Sequence, residues 1–328
     1  MLRLDQKAAP ALALSALITT LTLPVEAQRL GTLYASNEGG NTITAVDLST
    51  GAVVATIQAG KRPRGMSYDP RTGRIFVALG TDNSVAVIDA ATNRVVDVIP
   101  TGRDPEQVVV SADGKSVYVS NEEVEKATAV DIESKRILFA SPVGKEPEGI
   151  GLTNDGQKLY VTGESDSSVT VLDAKSGKTL RTIRVGARPR FVAFSPDGKR
   201  AFVSAENGGT VSVVDVARDS AIATIAIGDR TTKPTGLAVA PSGAFLYLAN
   251  GRSNEVSVID TRSNLVVASV SIGERPWGIA LSADGKTLYT ANGRSGSVSV
   301  IDLTTNRVTS TFKVGDRPYG VLVVYREH

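Results

Sequence analysis

From residue 33 onward the apolar residues fall in short runs that alternate with polar positions, each run closed by Gly, Asn, Asp or Pro. Residues 275–317 show the pattern. Pro276 opens a first strand over 278–282, the turn Ala283-Asp284-Gly285-Lys286 follows, and Thr287–Asn292 is a second, β-rich strand carrying Tyr289. A third strand, 298–302, alternates apolar with polar, and a tight turn leads to a fourth at 307–314. Period-two alternation over short stretches, punctuated by turn residues, predicts strands and no helix.

The unit recurs seven times. Its anchor is a proline: Pro63, Pro105, Pro147, Pro189, Pro234, Pro276 and Pro318, with steps of 42, 42, 42, 45, 42 and 42 residues. Glycine follows two residues later in five copies, while Gln107 and Phe191 replace it in the others. An aromatic marks each second strand (Tyr34, Phe76, Tyr118, Tyr160, Phe202, Tyr247, Tyr289), and an aspartate ends each third (Asp47, Asp89, Asp131, Asp173, Asp215, Asp260, Asp302). The three extra residues fall near Arg230-Thr231-Thr232, so they lengthen one loop. The aspartates read as structural, because each opens a turn where its carboxylate can accept backbone N–H groups. Four residues later stands Gly51, Asn93, Lys135, Gly177, Asp219, Asn264 or Asn306, and all but Lys135 tolerate a left-handed backbone.

Four-stranded units of this period fit the blades of a β-propeller, so the expected fold class is all-β with seven antiparallel blades. Neither end holds a complete blade. The first element, 33–37, is a second strand and the last, 320–325, is a first strand. Pairing the two completes the seventh blade and leaves no open gap in the ring.

Composition narrows the rest. The 328 residues are 41% hydrophobic with a formal net charge of +2, so there is no global bias toward nucleic acid. Cysteine is absent, which excludes disulfides, thiolate metal sites, cysteine nucleophiles and c-type haem attachment. The single histidine, His328, is terminal. Arg3 and Lys7 precede an apolar stretch at 9–23, and Val25-Glu26-Ala27 fits a small-x-small cleavage site. Residues 1–27 thus read as a secretory signal peptide and 28–328 as one propeller domain, the alternative being an uncleaved signal anchor.

Leu159-Tyr-Val-Thr-Gly163 and Val117-Tyr-Val-Ser-Asn121 resemble the core of the YVTN-repeat seven-bladed propellers. The ordered variants 35–43, Lys61-Arg62-Pro63-Arg64-Gly65, Asp104-Pro105-Glu106-Gln107, Arg188-Pro189-Arg190-Phe191 and Arg275-Pro276-Trp277-Gly278 resemble, more closely, the PQQ-dependent catabolism-associated β-propeller proteins. That resemblance covers about residues 32–325. It implies a periplasmic setting beside quinoprotein alcohol oxidation and transport components. It implies no binding of PQQ itself, since the tryptophan docking motifs and cysteine pair of quinoprotein dehydrogenases are missing.

In such a blade the loop before the first strand and the loop after the second open on one face, around the central channel. Unit by unit that face carries two sectors. Asp104, Glu106, Glu122, Glu146, Glu148 and Glu164 make it acidic. Lys233, Arg252, Arg275, Arg294, Arg317, Arg62 and Arg64 make it basic, with Trp277 and Tyr319, while Arg188, Arg190 and Glu206 mix the two signs and Glu38 lies inside the basic arc. The basic arc suits an anionic ligand or an acidic partner such as a quinoprotein dehydrogenase, a cytochrome c or a transport component. The acidic sector suits a hard cation such as Ca²⁺, which takes ~6–8 oxygen ligands. Otherwise the two signs pair across the rim, at ~0–1 kcal/mol per exposed pair.

Catalysis lacks a histidine base and a cysteine nucleophile. What remains is carboxylate-plus-metal chemistry of the lactonase-propeller kind, with Glu38, Glu122, Glu164, Glu206, Asn250 and Asn292 placed at the mouth by the repeat register. Single-stranded nucleic acid needs a positive groove with several stacking aromatics, and the arc offers two. The expected protein is a non-catalytic periplasmic propeller that presents a docking face, with no cofactor.

Overall fold

The computed structural model describes residues 31–325; the expected signal peptide and His328 lie outside them. The described residues form 28 strands, β1 to β28 in chain order, in seven four-stranded antiparallel sheets and no helix. The protein is a seven-bladed β-propeller.

Each blade's inner strand begins at the repeated proline: β4 (Pro63–Asp69), β8 (Pro105–Val110), β12 (Pro147–Leu152), β16 (Pro189–Phe194), β20 (Pro234–Val239), β24 (Pro276–Leu281) and β28 (Pro318–Tyr325). A proline can open a strand there because its missing N–H falls outside the ladder. We number the blades 1 to 7 by these strands. Blade 7 is the composite: β28 pairs with β1 (Gly31–Asn37), from Gly31↔Tyr325 to Ser36↔Gly320, and β1 continues to β2 (Thr42–Asp47) and β3 (Val53–Ile57). Every residue of β1 is buried, so the closure expected from the two half-blades sits in the core of the ring.

Apolar side chains pack between neighbouring blades. Between blades 7 and 1 lie Tyr34, Ile43, Ile57, Ile75, Val77, Ile88 and Val324. The repeated aromatic does more than fill space. Tyr34 donates its hydroxyl to Asn93 Oδ1 at 2.7 Å and Ala90 O at 3.1 Å, and Tyr160 donates to Asp219. Each ties its blade to the outer turn of the next.

Those turns are built as their sequence requires. Asp47 Oδ1 accepts Ser49 N and Thr50 N at 3.0 and 2.9 Å, which with the hydroxyls of Ser49 and Thr50 holds its carboxyl below the usual range. All seven residues four places on are left-handed, and Lys135, the one unfavourable type, joins them at φ 58°. The outer strands add an unforeseen feature: a bulge near the start of each. In β3 it leaves Val54 unpaired between Val53 and Ala55. The residue in that place is exposed and apolar in six blades (Val54, Val96, Leu138, Leu180, Ile222, Val267). The bulge breaks the ladder that an exposed edge would otherwise offer to another strand.

Candidate functional site

The residue before each inner proline has a left-handed backbone: Arg62, Asp104, Glu146, Arg188, Lys233, Arg275 and Arg317 have φ between 49° and 60°. A residue preceding proline normally avoids this region, and a side chain there adds strain. Hydrogen bonds hold it. Arg62 N donates to Asn41 Oδ1, and Arg62 O accepts Gly80 N; the matching carbonyls of the other six blades are bound in the same way.

The residues after the prolines form a ring, one from each blade: Arg64, Glu106, Glu148, Arg190, Thr235, Trp277 and Tyr319. All but Trp277 are buried. The glycines behind them are forced by close approach. A Cβ at Gly149 or Gly236 would stand 2.3 Å from the carbonyl oxygen of Arg190 or Trp277 on the adjacent inner strand. The two exceptions to glycine fill the space, as their bulk suggests: Gln107 lies against Gly65, and the Phe191 ring lies 6.3 Å from that of Tyr319.

The acidic and basic sectors are not separate faces. They interlock as one ion-pair network. Arg62 contacts Asp104, Glu106 (2.7 Å), Glu38 (3.3 Å) and Glu122 (4.0 Å). Arg64 contacts Glu106, Glu148 (2.7 Å) and Glu38 (3.1 Å). Arg190 holds Glu164, Glu206 (2.7 Å) and Glu148 (3.0 Å); Arg188 holds Glu164 (2.7 Å) and Glu206 (3.3 Å); Arg275 reaches Glu206 at 3.1 Å. Tyr319 donates its hydroxyl to Glu148. This corrects the expectation of a free basic arc at Arg62, Arg64, Arg188, Arg190 and Arg275. Their length lets them span to carboxylates two blades away, which a count by blade does not reveal. Pairing of the two signs between blades, the remaining expectation, is what the structure shows, but the pairs are not weak exposed ones, because Arg64, Arg190, Glu106, Glu148, Glu164 and Glu206 are buried.

Asp104, Glu106 and Glu122 do converge, with ligand atoms within 4.8 Å of one another, and Arg62 is the cation they share. Glu146 stands apart, exposed and accepting a hydrogen bond from Ser165. Asn250 and Asn292 do not face the mouth. They precede the mouth position by one residue, and strand alternation turns them into the blade, where Asn250 donates to Ser257 and Asn292 to Ser299. The residues in register with the mouth glutamates are Gly251 and Gly293.

Burial is the largest single influence on the carboxyl groups of the network. It pushes Glu164 up to about 8, assisted by Glu148 and opposed by Arg190 and Arg188. It pushes Glu106 well up, again with Glu148 and against Arg64 and Arg62. Burial also works to raise Glu148, but Arg190, Arg64 and the Tyr319 hydroxyl outweigh it and hold that carboxyl at about 2.

Blades 5 to 7 carry what is left of the basic arc. The Trp277 and Tyr319 rings lie 5.4 Å apart, tilted by 35°, with Arg275 4.4 Å over the Trp277 ring and Arg64 4.1 Å over that of Tyr319. Lys233 donates to Asn207, and Arg317, two-thirds exposed, lies 3.7 Å from Asp316. Arg252 and Arg294 are exposed and enter no ion pair among the described residues.

Comparison with known proteins agrees with the fold. A model of the seven-bladed β-propeller lactonases matches residues 178–324, and a YNCE-like β-propeller model matches 68–153. Among solved structures the chain is similar to hydrazine synthase of Kuenenia stuttgartiensis at 25% identity and a TM-score of 0.74, over 83% of this chain and 92% of that one. It is also similar in fold to a Bacteroides fragilis protein named as a candidate 6-phosphogluconolactonase (18% identity, TM-score 0.78, 92% and 99% of the chains). A protein of unknown function from Desulfotomaculum acetoxidans aligns at 14% identity with a TM-score of 0.79, over 90% and 99%. No curated protein matches the sequence.

Proposed function

We propose that this protein is a non-catalytic docking propeller whose binding face is the rim of blades 5 to 7. The observation that carries the reading is the division of the arginines. Five are consumed by the channel network, while Arg252, Arg294 and Arg317 stand exposed on consecutive blades. Exposed guanidinium groups suit a carboxylate-bearing surface and steer its approach. The resemblance to the PQQ-associated propellers supplies the partner: a periplasmic quinoprotein dehydrogenase or its cytochrome c. Titrating purified dehydrogenase and cytochrome c against the wild type and R252E/R294E/R317E tests this. Binding that weakens in the variant and with added salt is expected; equal affinity for both proteins removes the rim of blades 5 to 7 as the docking face.

A lactonase reading is favoured by the family match over 178–324 and, outside that range, by Glu164, a mouth carboxyl that burial pushes up to about 8 and that can donate a proton near neutrality. Hydrolysis of 6-phosphogluconolactone by the purified protein, abolished in E164Q, would establish it in place of the docking role.

A further inference from the structure

Asparagine ends the second strand of four blades, at Asn37, Asn121, Asn250 and Asn292, and is buried each time. Its amide serves hydroxyl groups on the third strand beside it. Asn37 Nδ2 donates to Thr42 and Thr44 at 3.0 and 2.8 Å, and Asn292 Nδ2 to Ser297 and Ser299 at 3.3 and 2.9 Å. Blade 3 keeps the hydroxyl groups and lacks the amide. Its second strand, β13 (Lys158–Gly163), ends in glycine, and the matching residues of its third strand, β14 (Ser168–Asp173), are Ser168 and Thr170. The chain that crosses over from the outer strand of blade 2, β11 (Ile137–Pro142), closes on that glycine: a Cβ at Gly163 would stand 2.8 Å from Gly144 Cα. Gly144 N donates to Thr170 Oγ1 at 3.2 Å and Lys145 N to Asp166 Oδ2 at 2.8 Å, so the crossing is fixed. Thr170 thereby replaces its lost partner. The Ser168 hydroxyl does not: it makes no hydrogen bond among the described residues, although Ser168 is buried.

A cavity of about 500 Å³ opens at this place, between the crossing and blade 3. Strand register sets its wall. Ser168 stands opposite Arg184, and Thr170 opposite Thr182, on the outer strand β15 (Thr179–Arg184). The four side chains therefore share one face, about 5 Å apart across the strands and about 7 Å along them. Asp166 adds a carboxylate to the same cavity, and Arg184 is exposed and enters no ion pair among the described residues. A guanidinium group takes a carboxylate through two parallel hydrogen bonds. Serine and threonine hydroxyls both donate and accept, and an aspartate accepts. That set is complementary to a ligand with several hydroxyl groups and one carboxylate, and the volume lies in the range of small-molecule sites. We propose that the cavity at the crossing between blades 2 and 3 binds a small acidic saccharide, a hexuronic acid unit, with its carboxylate on Arg184 and its hydroxyl groups on Ser168, Thr182 and Asp166. The site shares no residue with the rim of blades 5 to 7 and does not depend on the docking role.

Calorimetric titration of the purified protein with D-glucuronate tests this, with D-glucose and acetate as controls. Glucuronate should bind more tightly than either, since glucose lacks the carboxylate and acetate the hydroxyl groups. R184M removes an exposed side chain outside any described ion pair, so it should melt with the wild type while weakening glucuronate by about tenfold or more. S168A should weaken it by about threefold to tenfold. R252E/R294E/R317E should leave it unchanged, which separates this site from the docking face. In the wild type, glucuronate should shift the amide NMR signals of Gly144 and Lys145, a reading that needs no variant. No binding at about 10 mM glucuronate, acetate or glucose bound as tightly, or an affinity unchanged in R184M would overturn the proposal.

Discussion

Tyr319 of blade 7 donates its hydroxyl to Glu148 of blade 3 at 2.7 Å, a bond that spans the channel between strands 171 residues apart. Both side chains are buried. Y319F removes the donor but keeps the ring under Arg64. A hydrogen bond to a charged, buried acceptor contributes about 1.5–3 kcal/mol, so Y319F should lower the free energy of unfolding by that amount in urea. Tyr34, whose hydroxyl serves neutral acceptors, should cost only about 0.5–1.5 kcal/mol as Y34F.

Arg190 is the cation with most at stake. It is buried and holds Glu148, Glu164 and Glu206 together. R190M leaves those carboxylates without their main partner, and removing one side of a buried pair costs about 3–5 kcal/mol. R252M touches no described ion pair and should stay within about 0.5 kcal/mol of the wild type. Equal losses in the two variants would mean that the network contributes nothing to the fold.

The contrast between Arg190 and Arg252 marks how far the sequence could be read. Spacing alone revealed blades, strand order and closure, because each depends on a pattern repeated seven times. It also placed the mouth residues, since Pro63 and its six counterparts fix the register. It did not reveal which arginines are free. Arg62 and Arg317 hold the same place before the inner proline, yet one reaches four carboxylates and the other is two-thirds exposed. That difference depends on side-chain reach across blades, between residues 24 to 84 positions apart in sequence. Asn250 failed for a smaller reason: a one-residue shift along a strand reverses the side chain. The bulges and the left-handed residues before proline were hidden because ordinary residue types, such as Arg62 and Val54, occupy them.

Acid should destabilise the protein through Glu148 and Glu206, whose carboxyls are held below their ordinary range by Arg190 with Arg64 or Arg188. Their folded-state values are depressed, so the stability they contribute is present above the unfolded carboxyl value of about 4.3 and is lost as pH falls through the folded values, about 2 for Glu148. Thermal melts should therefore decline below about pH 4.5. In R190M, where the depression is relieved, the decline should be shallower. An identical acid limb in both proteins would sink this assignment.

The closure in blade 7 predicts what truncation and permutation will do. Gly31 and Tyr325 are paired neighbours on adjacent strands, so the two ends of the described chain lie side by side. Removing residues 318–325 takes away β28, exposes the inner edge of the wholly buried β1, and strips Val324 from the cluster around Tyr34. The cost spreads over a full ladder and an interblade core, so the truncated chain should show no cooperative melting transition. A permutant that joins residue 325 to residue 31 through a linker of about 2–5 residues keeps every one of those contacts. Its new ends belong between Arg230 and Thr231, both exposed, in the loop that carries the three extra residues. Opening there breaks only the local bonds of Asp229 to Thr231 and Thr232. The permutant should melt within a few degrees of the wild type, and a collapse comparable to the truncation would show that the 228–233 loop, rather than the paired ends, holds the ring shut.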